Sequence, residues 1–384
     1  MRFEFVCDLV FVIWKLKSVL PKLFAKKFLG IDIGAASIKM VELEDAGNKF
    51  ALSNYGEIAA DFSDDNDDFS SPRKKTMADF SSSEVAEMIQ AVLLEAKIKT
   101  RQCTLSIPDF STFFTSFFLP GMTQKEVAAA VIFEARQHIP LPIDTVTVDW
   151  QLIGGEPEKS DKLEIAVTAV PNEIVAKYKD IALKSKLQLV LMEAEAFGLM
   201  QALIPRQDAR AICVIDIGVQ STVCSLIEQQ ILRYSHSFDR GLDYLFDEFG
   251  KRLPIDRATF LAAKKNHGFK MISLIEPDIK LEMQDILKEI FNPILREIEM
   301  SLKDYRQSSG IEPAKIILSG GGGAVLETKK QFEDYFKKET TIAAPFAGID
   351  YPKEIEDEIK NIGPSYAVAA GMARRGFEFL KSAK

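Results

Sequence analysis

The alternation of apolar and polar positions predicts the same strand–turn–strand hairpin at two places in the chain. In the first copy an apolar run at 28–33 surrounds Asp32, and in the second a run at 212–217 surrounds Asp216. Each run ends in Ile-Asp-Ile-Gly, has a serine three residues after the glycine, and continues into a second apolar strand. Solenoid repeats have periods of about 20 to 50 residues, so this widely spaced repeat predicts two related domains instead.

Chain length supports the same division. The chain has 384 residues, more than one hydrophobic core usually serves. We expect an N-terminal extension at 1–27, a first domain at 28–210 with an inserted α+β unit at 101–186, and a second domain at 211–384 with a mainly helical unit at 242–310. The expected fold class is α/β.

The inserted unit is predicted from four strands and two helices. The strands are expected at 102–107, 112–119, 145–153 and 163–170. A capping box, Thr123 with Glu126, predicts the start of the first helix, which should end before Pro140. The second helix is expected at 172–187.

Other periodic segments complete the two domains. The segment 61–83 is rich in Asp, Ser and Asn, which predicts a solvated loop, and Ser81 with Glu84 forms a second capping box. Helices are expected at 242–253, 255–266, 280–307 and 365–379, and a short buried strand at 315–318. Pro293 should kink the third of these helices.

The N-terminal segment has an unusual pattern. Residues 6–20 are apolar but are interrupted by Asp8, Lys15 and Lys17, so the segment is too short and too charged to span a bilayer. It has no small-residue cleavage site of a secretory signal. Three interpretations fit it: an amphipathic helix at a membrane surface, a helix that docks on a partner, or residues that precede the true translation start.

Composition excludes several classes of function. Hydrophobic residues make up 47% and charged residues 27%, as in a globular protein, and the formal charge of −8 argues against nucleic-acid binding. The four cysteines form no CxxC pair, which favours buried thiols in a reducing compartment. The three histidines have no metal-ligand spacing.

The two hairpin turns carry candidate phosphate-binding chemistry. Small residues at a turn let backbone N–H groups approach phosphate oxygens, and hydroxyl groups can add donors. Candidate phosphate-binding residues are Gly34, Ala35, Ala36, Ser37 and Lys39 in the first hairpin, and Gly218, Val219, Gln220, Ser221 and Thr222 in the second. Asp32 and Asp216 would face a Mg²⁺ ion or its water shell. One such turn alone would be an ordinary hairpin, but two matched copies favour a shared ligand.

A third glycine-rich turn follows the strand at 315–318. Gly320, Gly321, Gly322 and Gly323 come between this strand and a helix, an arrangement that lets a ligand lie against the backbone, although a flexible loop is the alternative. The chain has no G-x-x-x-x-G-K-[ST] motif, which excludes a P-loop ATPase. Lys264 is a candidate for contacting ribose or base, with a plain surface lysine as the alternative.

The order of these motifs resembles the actin-like (RNase H-like) ATPase superfamily, in which two hairpins grip the phosphates and a late glycine turn covers the adenosine. A closer resemblance is to the PilM family of type IV pilus assembly. It is carried by the segments 29–39, 134–140, 148–151, 316–322 and 366–371. The likeness extends over about residues 22–380 and departs at Arg240-Gly241 and in the loop 61–83.

The PilM resemblance implies a cytoplasmic protein, peripheral to the inner membrane, that binds ATP and Mg²⁺. It also implies a partner, the N-terminal cytoplasmic tail of PilN and through it the PilN/PilO complex, held in a groove between the 101–186 unit and the first domain. Candidate groove residues are Phe110, Phe113, Phe114, Phe117 and Phe118, for which the core of the small sheet is the alternative. Membrane association would be indirect or through the N-terminal segment, and a homo-oligomer is left open.

Hydrolysis is the least determined activity. The resemblance places a catalytic candidate near the start of the helix after 191–194, where Glu195 or Glu193 could act as a base or metal ligand, and a capping or solvated glutamate is the alternative. We therefore expect an ATP-dependent conformational or assembly switch with slow hydrolysis at most. The alternatives are a division protein like FtsA and a small-metabolite kinase of the same superfamily.

Overall fold

A computed structural model describes residues 11–15, 27–47, 49–59, 76–252, 280–323 and 328–382. The strands in this part of the chain are β1 (Phe11–Lys15), β2 (Lys27–Ile33), β3 (Ser37–Asp45), β4 (Phe50–Ala59), β5 (Gln102–Ile107), β6 (Phe113–Pro120), β7 (Val146–Gly154), β8 (Lys162–Pro171), β9 (Gln188–Ala194), β10 (Ile212–Ile217), β11 (Thr222–Glu228), β12 (Ile231–Phe238), β13 (Lys315–Ser319), β14 (Glu339–Ile342) and β15 (Ile349–Asp350).

The α-helices lie mainly between the strands and at the C-terminal end. They are α1 (Ser82–Glu95), α2 (Gln124–His138), α3 (Asn172–Lys184), α4 (Glu195–Leu203), α5 (Leu242–Arg252), α6 (Lys280–Ser309), α7 (Gly320–Gly323), α8 (Thr328–Phe336), α9 (Glu356–Ile362) and α10 (Ala367–Ser382). The predicted helix at 255–266, and Lys264 with it, lies outside the described residues.

Two mixed sheets repeat one strand order. The first contains the series β4-β3-β2-β5-β9, extended by β1 and β15 beside β4, and the second is β12-β11-β10-β13-β14. In both, the opening hairpin is antiparallel, β2 with β3 and β10 with β11, and the next strands run parallel to the first strand of that hairpin. The repeated hairpin seen in the sequence therefore marks two copies of one sheet topology.

The small antiparallel sheet, in the order β6-β8-β7, differs from the predicted inserted unit. Helix α2 covers one of its faces and shares a core with β6 and β8. The strand predicted at 102–107 is β5, which pairs in parallel with β2 and β9 in the first large sheet, so its place in the small unit is corrected. Helix α3 packs on α1 and the core of the first sheet. The domain boundaries themselves stay predictions.

Helix α10 joins the cores of the molecule. Its alanines pack against β2 and β3, while Val368 and Met372 pack against α4. A Cβ atom at Gly371 would overlap the carbonyl oxygen of Gly198, and one at Gly30 would overlap that of Ala369. Only glycine allows such close backbone contact. The last helix thus packs on elements of the first domain, although it follows the second in sequence.

Three further expectations concern the N-terminal segment, the helices of the second domain and helices that could span a membrane. Residues Phe11–Lys15 form a strand that pairs antiparallel with β4, so this part of the N-terminal segment is not helical. Helices α5 and α6 pack together on the core of the second sheet, and Pro293 lies inside α6. Among the residues that the structure describes, no helix combines the length and apolarity needed to cross a bilayer.

Candidate functional site

The two hairpin turns have the same internal geometry. The N–H of Gly34 donates to the carbonyl oxygen of Ser37 at 3.0 Å, and the N–H of Gly218 donates to that of Ser221 at 2.9 Å. These two N–H groups are therefore used inside the turns. The backbone N–H groups left to face a ligand are those of the residues that follow each glycine.

Lys39 lies in the first hairpin, directly opposite Asp32 on the neighbouring strand. Its Nζ donates to Oγ of Ser37 at 2.7 Å and pairs with Oε1 of Glu57 at 3.5 Å. Burial alone would lower the pKa of Lys39, but the charges of Glu57, Asp32 and Asp216 outweigh it and the pKa is raised. Lys39 therefore keeps its positive charge beside the carboxylates of the two hairpins.

Asp32 and Asp216 have equivalent positions near the ends of β2 and β10, each beside a serine of a neighbouring parallel strand. Asp32 Oδ1 accepts a hydrogen bond of 2.8 Å from Ser106 Oγ, and Asp216 lies opposite Ser319 in the parallel pairing of β10 with β13. Burial raises the pKa of Asp32, and it raises the pKa of Asp216 to about 6. Each aspartate also raises the pKa of its neighbours by electrostatic repulsion, so the two carboxyl groups share one site.

This pair of aspartates fits a hydrated magnesium ion better than an all-protein cage. Within the described part of the chain, no group of three or more His, Cys, Asp or Glu side chains is arranged to hold a metal ion. Mg²⁺ in nucleotide sites usually keeps several water ligands and takes others from phosphates. Asp32 and Asp216 could bind such an ion through its water molecules, as predicted.

Glu195 and Asp109 complete the cluster. Glu195 begins α4, where its Oε2 accepts a hydrogen bond of 3.2 Å from the N–H of Asp109. Burial, followed by the charges of Asp32, Asp109 and Asp216, raises the pKa of Glu195 well above its usual range. The sequence analysis missed Asp109, whose pKa burial raises to about 7. Its position directly after a strand parallel to β2 was the available signal, because ligands gather at the carboxyl ends of such strands.

Glu193, the other catalytic candidate, faces away from this cluster. Its carboxylate forms an ion pair with the guanidinium of Arg375 on α10, with one hydrogen bond of 2.6 Å from Nε. Glu193 therefore joins the end of β9 to the last helix, and Glu195 is the glutamate that reaches the carboxylates.

The second hairpin is supported from behind by the start of α5. The N–H groups of Leu242 and Asp243 donate to the carbonyl oxygens of Gly218 and Val219, each at 2.9 Å. A Cβ atom at Gly241 would lie 2.5 Å from the carbonyl oxygen of Val219, so this glycine permits the contact. The hydroxyl of Thr222 is buried and donates to the carbonyl oxygen of Arg240 at 2.6 Å. The predicted phosphate donor is thus already engaged within the protein.

The glycine-rich turn packs directly against the second hairpin. Gly320 has φ of +75°, and a Cβ atom there would overlap the carbonyl oxygen of Ile217, next to Asp216. The four glycines themselves form the short helix α7, whereas the sequence predicted a loop before the helix. Glycine is thus required here for close packing beside the cluster. A ligand-binding role of Gly320–Gly323 stays a prediction.

A sequence profile described as type IV pilus assembly protein PilM matches residues 30–377. The chain belongs to this PilM family. Among solved structures, one titled PilM-PilN type IV pilus biogenesis complex matches with a TM-score of 0.70 and 22% identity, over 91% of this chain and 98% of that one. The ethanolamine utilization protein EutJ from Carboxydothermus hydrogenoformans matches with a TM-score of 0.51 and 13% identity, over 94% and 92% of the two chains.

An MreB5 structure of Spiroplasma citri bound to ADP matches with a TM-score of 0.50 and 14% identity, over 93% of this chain and 98% of that one. The predicted α/β actin-like fold is therefore confirmed for this member of the PilM family. At these identities the structural likeness establishes the fold alone.

The five aromatic residues that the PilM resemblance suggested for a groove have different surroundings. Phe117 is buried in the core of the small sheet, and Phe113 packs beside that core. Phe114 packs instead against the core that contains α4. Phe110 and Phe118 are 47% and 64% exposed. The core alternative therefore holds for Phe117, while Phe110 and Phe118 are accessible to a partner.

Proposed function

We propose that this PilM-family chain is the ATP-binding component of the type IV pilus assembly platform. It lies in the cytoplasm, peripheral to the inner membrane. There it binds Mg·ATP between its two hairpins, uses nucleotide as a conformational or assembly switch, and holds the N-terminal cytoplasmic tail of PilN. The observation that carries the nucleotide part is Lys39, which lies opposite Asp32 in the pairing of β2 with β3 and donates to Ser37 in the first hairpin turn.

The chemistry of the cluster supports a polyphosphate ligand. Small-residue turns at Gly34 and Gly218 present backbone N–H groups, and Lys39 supplies a positive charge beside them. Asp32 and Asp216 would hold a Mg²⁺ ion through its water ligands, and the ion would neutralise charge on the phosphates. The solved MreB5 relative is bound to ADP, which supports an adenine nucleotide as the ligand.

A ligand held by both hairpins would favour one relative placement of the two large sheets. The first hairpin belongs to the first sheet and the second hairpin to the other. A ligand shifts a conformational equilibrium by its difference in affinity for the two states. Phosphates that contact both turns bind best when the turns are close, so nucleotide acts as the switch.

The PilN tail is proposed as partner because a related structure is a PilM-PilN complex. It would dock between the small sheet and the first domain, where Phe110 is exposed. Through PilN the chain would reach the PilN/PilO complex at the membrane.

Hydrolysis, if present, is slow, and Glu195 is the proposed base. Its carboxylate is buried among three other carboxyl groups, and burial, followed by their charges, raises its pKa. A general base works best with a pKa near the operating pH. We place the function in binding and assembly, with slow hydrolysis at most.

The test is isothermal titration of Mg·ATP into the wild type and into Gly218→Asp. A Cβ atom at Gly218 lies 3.1 Å from the carbonyl oxygen of Ser221, and the added carboxylate would repel phosphate. We expect at least a hundredfold loss of affinity, on the order of 3 kcal/mol. The matched control is Gly348→Asp, at a turn with φ of +74° and open space around Cβ, where ATP affinity should be unchanged.

A PilN N-terminal peptide is then added with and without nucleotide. Peptide binding by the wild type, altered by nucleotide, supports the pilus-assembly switch. ATP binding without peptide binding would favour a kinase or an FtsA-like division protein. A wild type that binds no ATP would refute the nucleotide part of the proposal.

A further inference from the structure

A pocket of about 310 Å³ lies beside the acid cluster, where three parts of the fold meet. They are the segment that leads into β6, the start of α4, and strand β12 of the second sheet. The lining residues are Asp109, Phe110, Thr112, Phe113, Phe114, Thr168, Ala194, Phe197, Leu232, Ser235, His236, Ser237 and Asp239.

The lining combines apolar walls with acidic groups. Four phenylalanines and Leu232 form the apolar surface, and Asp109 and Asp239 are the carboxylates. Neither Lys nor Arg is among these lining residues, all of which lie in the described part of the chain. A pocket with this composition is suited to a cation carried on an aliphatic stem.

Asp109 is the group in the pocket that needs a partner. Its side chain is only 6% exposed, and its Oδ1 accepts a long hydrogen bond of 3.5 Å from the N–H of Ala196. Its Oδ2 is buried and has no hydrogen-bond partner among the described residues, and the same holds for Oγ of Ser237. Leaving a buried acceptor unsatisfied is unfavourable, and more so if it is charged.

The location also favours a polypeptide as the source of the cation. Strand β6 is an edge of the small sheet and β12 is an edge of the second large sheet, and the two strands approach each other beside the pocket. An edge strand can hydrogen-bond an extended peptide through its backbone, while pockets between strands select its side chains.

We propose that this pocket binds an arginine side chain from an extended segment of a partner protein, with Asp109 as its counter-ion. A guanidinium is planar, so it can stack on phenylalanine rings while its N–H groups reach a carboxylate. A lysine ammonium is more strongly hydrated and lacks the flat face, so it fits the aromatic walls less well.

The inference goes beyond the proposed function and does not depend on it. The lining residues Phe110, Phe113 and Phe114 are also candidates for the PilN groove, but the test below uses neither nucleotide nor PilN. Failure of one proposal therefore leaves the other intact.

The probe is N-acetyl-arginine methylamide, and its control is the citrulline derivative, which has nearly the same shape and no charge. Ligand-observed NMR titrations on the full chain measure both dissociation constants. We expect the wild type to bind the arginine derivative in the millimolar range and at least tenfold more tightly than citrulline. Asp109→Asn should reduce this preference to less than twofold. Equal binding of the two probes, or no arginine binding at millimolar concentrations, would overturn the proposal.

Two variants of Thr168 test the proposal even if Asp109→Asn does not fold. Thr168 lines the pocket and pairs with Phe114 on the neighbouring strand, and it is half-buried. Thr168→Lys should place the protein's own cation in the pocket and abolish binding of the arginine derivative. Thr168→Gln, of similar length and uncharged, should retain binding within about threefold. If the lysine and glutamine variants bind the probe equally well, the cation site is refuted.

Discussion

Asp109 and Glu195 hold each other across the junction of a loop and a helix. The N–H of Asp109 donates to Oε2 of Glu195 at 3.2 Å, and the N–H of Ala196 donates to Oδ1 of Asp109 at 3.5 Å. Asp109 lies between β5 and the small sheet, whereas Glu195 is the first residue of α4, directly after β9. This reciprocal pairing joins the segment that leads into the small sheet to the acid cluster.

Glu195→Gln tests whether this glutamate is a base. Glutamine keeps an oxygen that can accept from the N–H of Asp109 but cannot take a proton. We expect Mg·ATP affinity to stay within about threefold and any ATP turnover to fall at least tenfold, toward the hundredfold or more that general bases contribute. Turnover is followed by phosphate release under saturating ATP.

The matched control is Glu193→Gln. Its carboxylate pairs with Arg375 on α10, so this change should lower stability and leave turnover per folded molecule unchanged. An equal loss of turnover in both variants would show that the loss comes from altered packing of β9. Unchanged turnover in Glu195→Gln would show that Glu195 has no catalytic role.

Lys39→Met tests the central cation. The substitution removes the ammonium group from beside Ser37 and breaks the ion pair between Lys39 and Glu57. Hydrogen bonds to charged groups contribute about 1.5–3 kcal/mol, so we expect ATP affinity to fall at least tenfold. Calorimetry measures the affinity, and urea unfolding measures the stability.

The double variant Lys39→Met/Glu57→Gln separates the two effects. Removing both charges takes away the carboxylate that had lost its ion pair with Lys39, so stability should recover while ATP affinity stays low. Recovery of ATP affinity in the double variant would show that Lys39 acts by holding Glu57.

Stability without nucleotide should fall as the pH rises from about 4 toward about 7. Burial raises the pKa of Asp109 from 3.8 to about 7, so the folded protein holds this proton more tightly than the unfolded chain does. The contribution is present at low pH and is lost as the pH passes through the folded pKa. At about 1.4 kcal/mol per pKa unit, Asp109 alone accounts for a decrease on the order of 3 kcal/mol.

Asp109→Asn should make this decrease smaller, in urea unfolding at about pH 5 and about pH 8 with EDTA present. Part of the decrease of stability with pH should remain, because burial raises the pKa of Asp216 to about 6 and this group still titrates. The control is Asp208→Asn, because Arg210 lowers the pKa of Asp208 to about 2 and its titration lies below this window. A slope unchanged by Asp109→Asn would contradict the assignment.

Gly371→Val tests the packing of α10 on α4. The Cβ atom would overlap the carbonyl oxygen of Gly198, which is backbone and cannot rotate away. Overpacking costs about 1–3 kcal/mol or more, so we expect the free energy of unfolding to fall by about 3 kcal/mol. Lys381→Ala, an exposed change on the same helix, should stay within about 0.5 kcal/mol. A comparable loss of unfolding free energy in both variants would show that the effect does not come from the contact between Gly371 and Gly198.

Local chemistry was predicted well. Ser81 and Glu84 form the expected capping box, with Ser81 N–H donating to the Glu84 carboxylate at 2.8 Å. The two Ile-Asp-Ile-Gly turns form matched hairpins with the same internal hydrogen bond. These features depend on residues three or four positions apart, whose conformational preferences act within the segment itself.

Errors arose where a distant segment decided the outcome. The strand at 102–107 was assigned to the small unit because it precedes the other strands in sequence, but it pairs with β2 and β9. Thr222 was expected to face phosphate, but Arg240 offers it a carbonyl oxygen inside the protein. Neither partner is visible from local spacing.

By itself, the sequence determined the repeated hairpins, the glycine-rich segment after the strand at 315–318 and the resemblance to the PilM family. Each of these depends on turn residues and apolar periodicity, which are visible within a short segment of sequence. Only the tertiary structure placed Ser106 beside Asp32 and Glu57 beside Lys39, and only it brought the phenylalanines of the pocket together with Asp109. The physical reason is that parallel strands far apart in sequence bring their carboxyl ends to one edge, so strand order decides which charges meet.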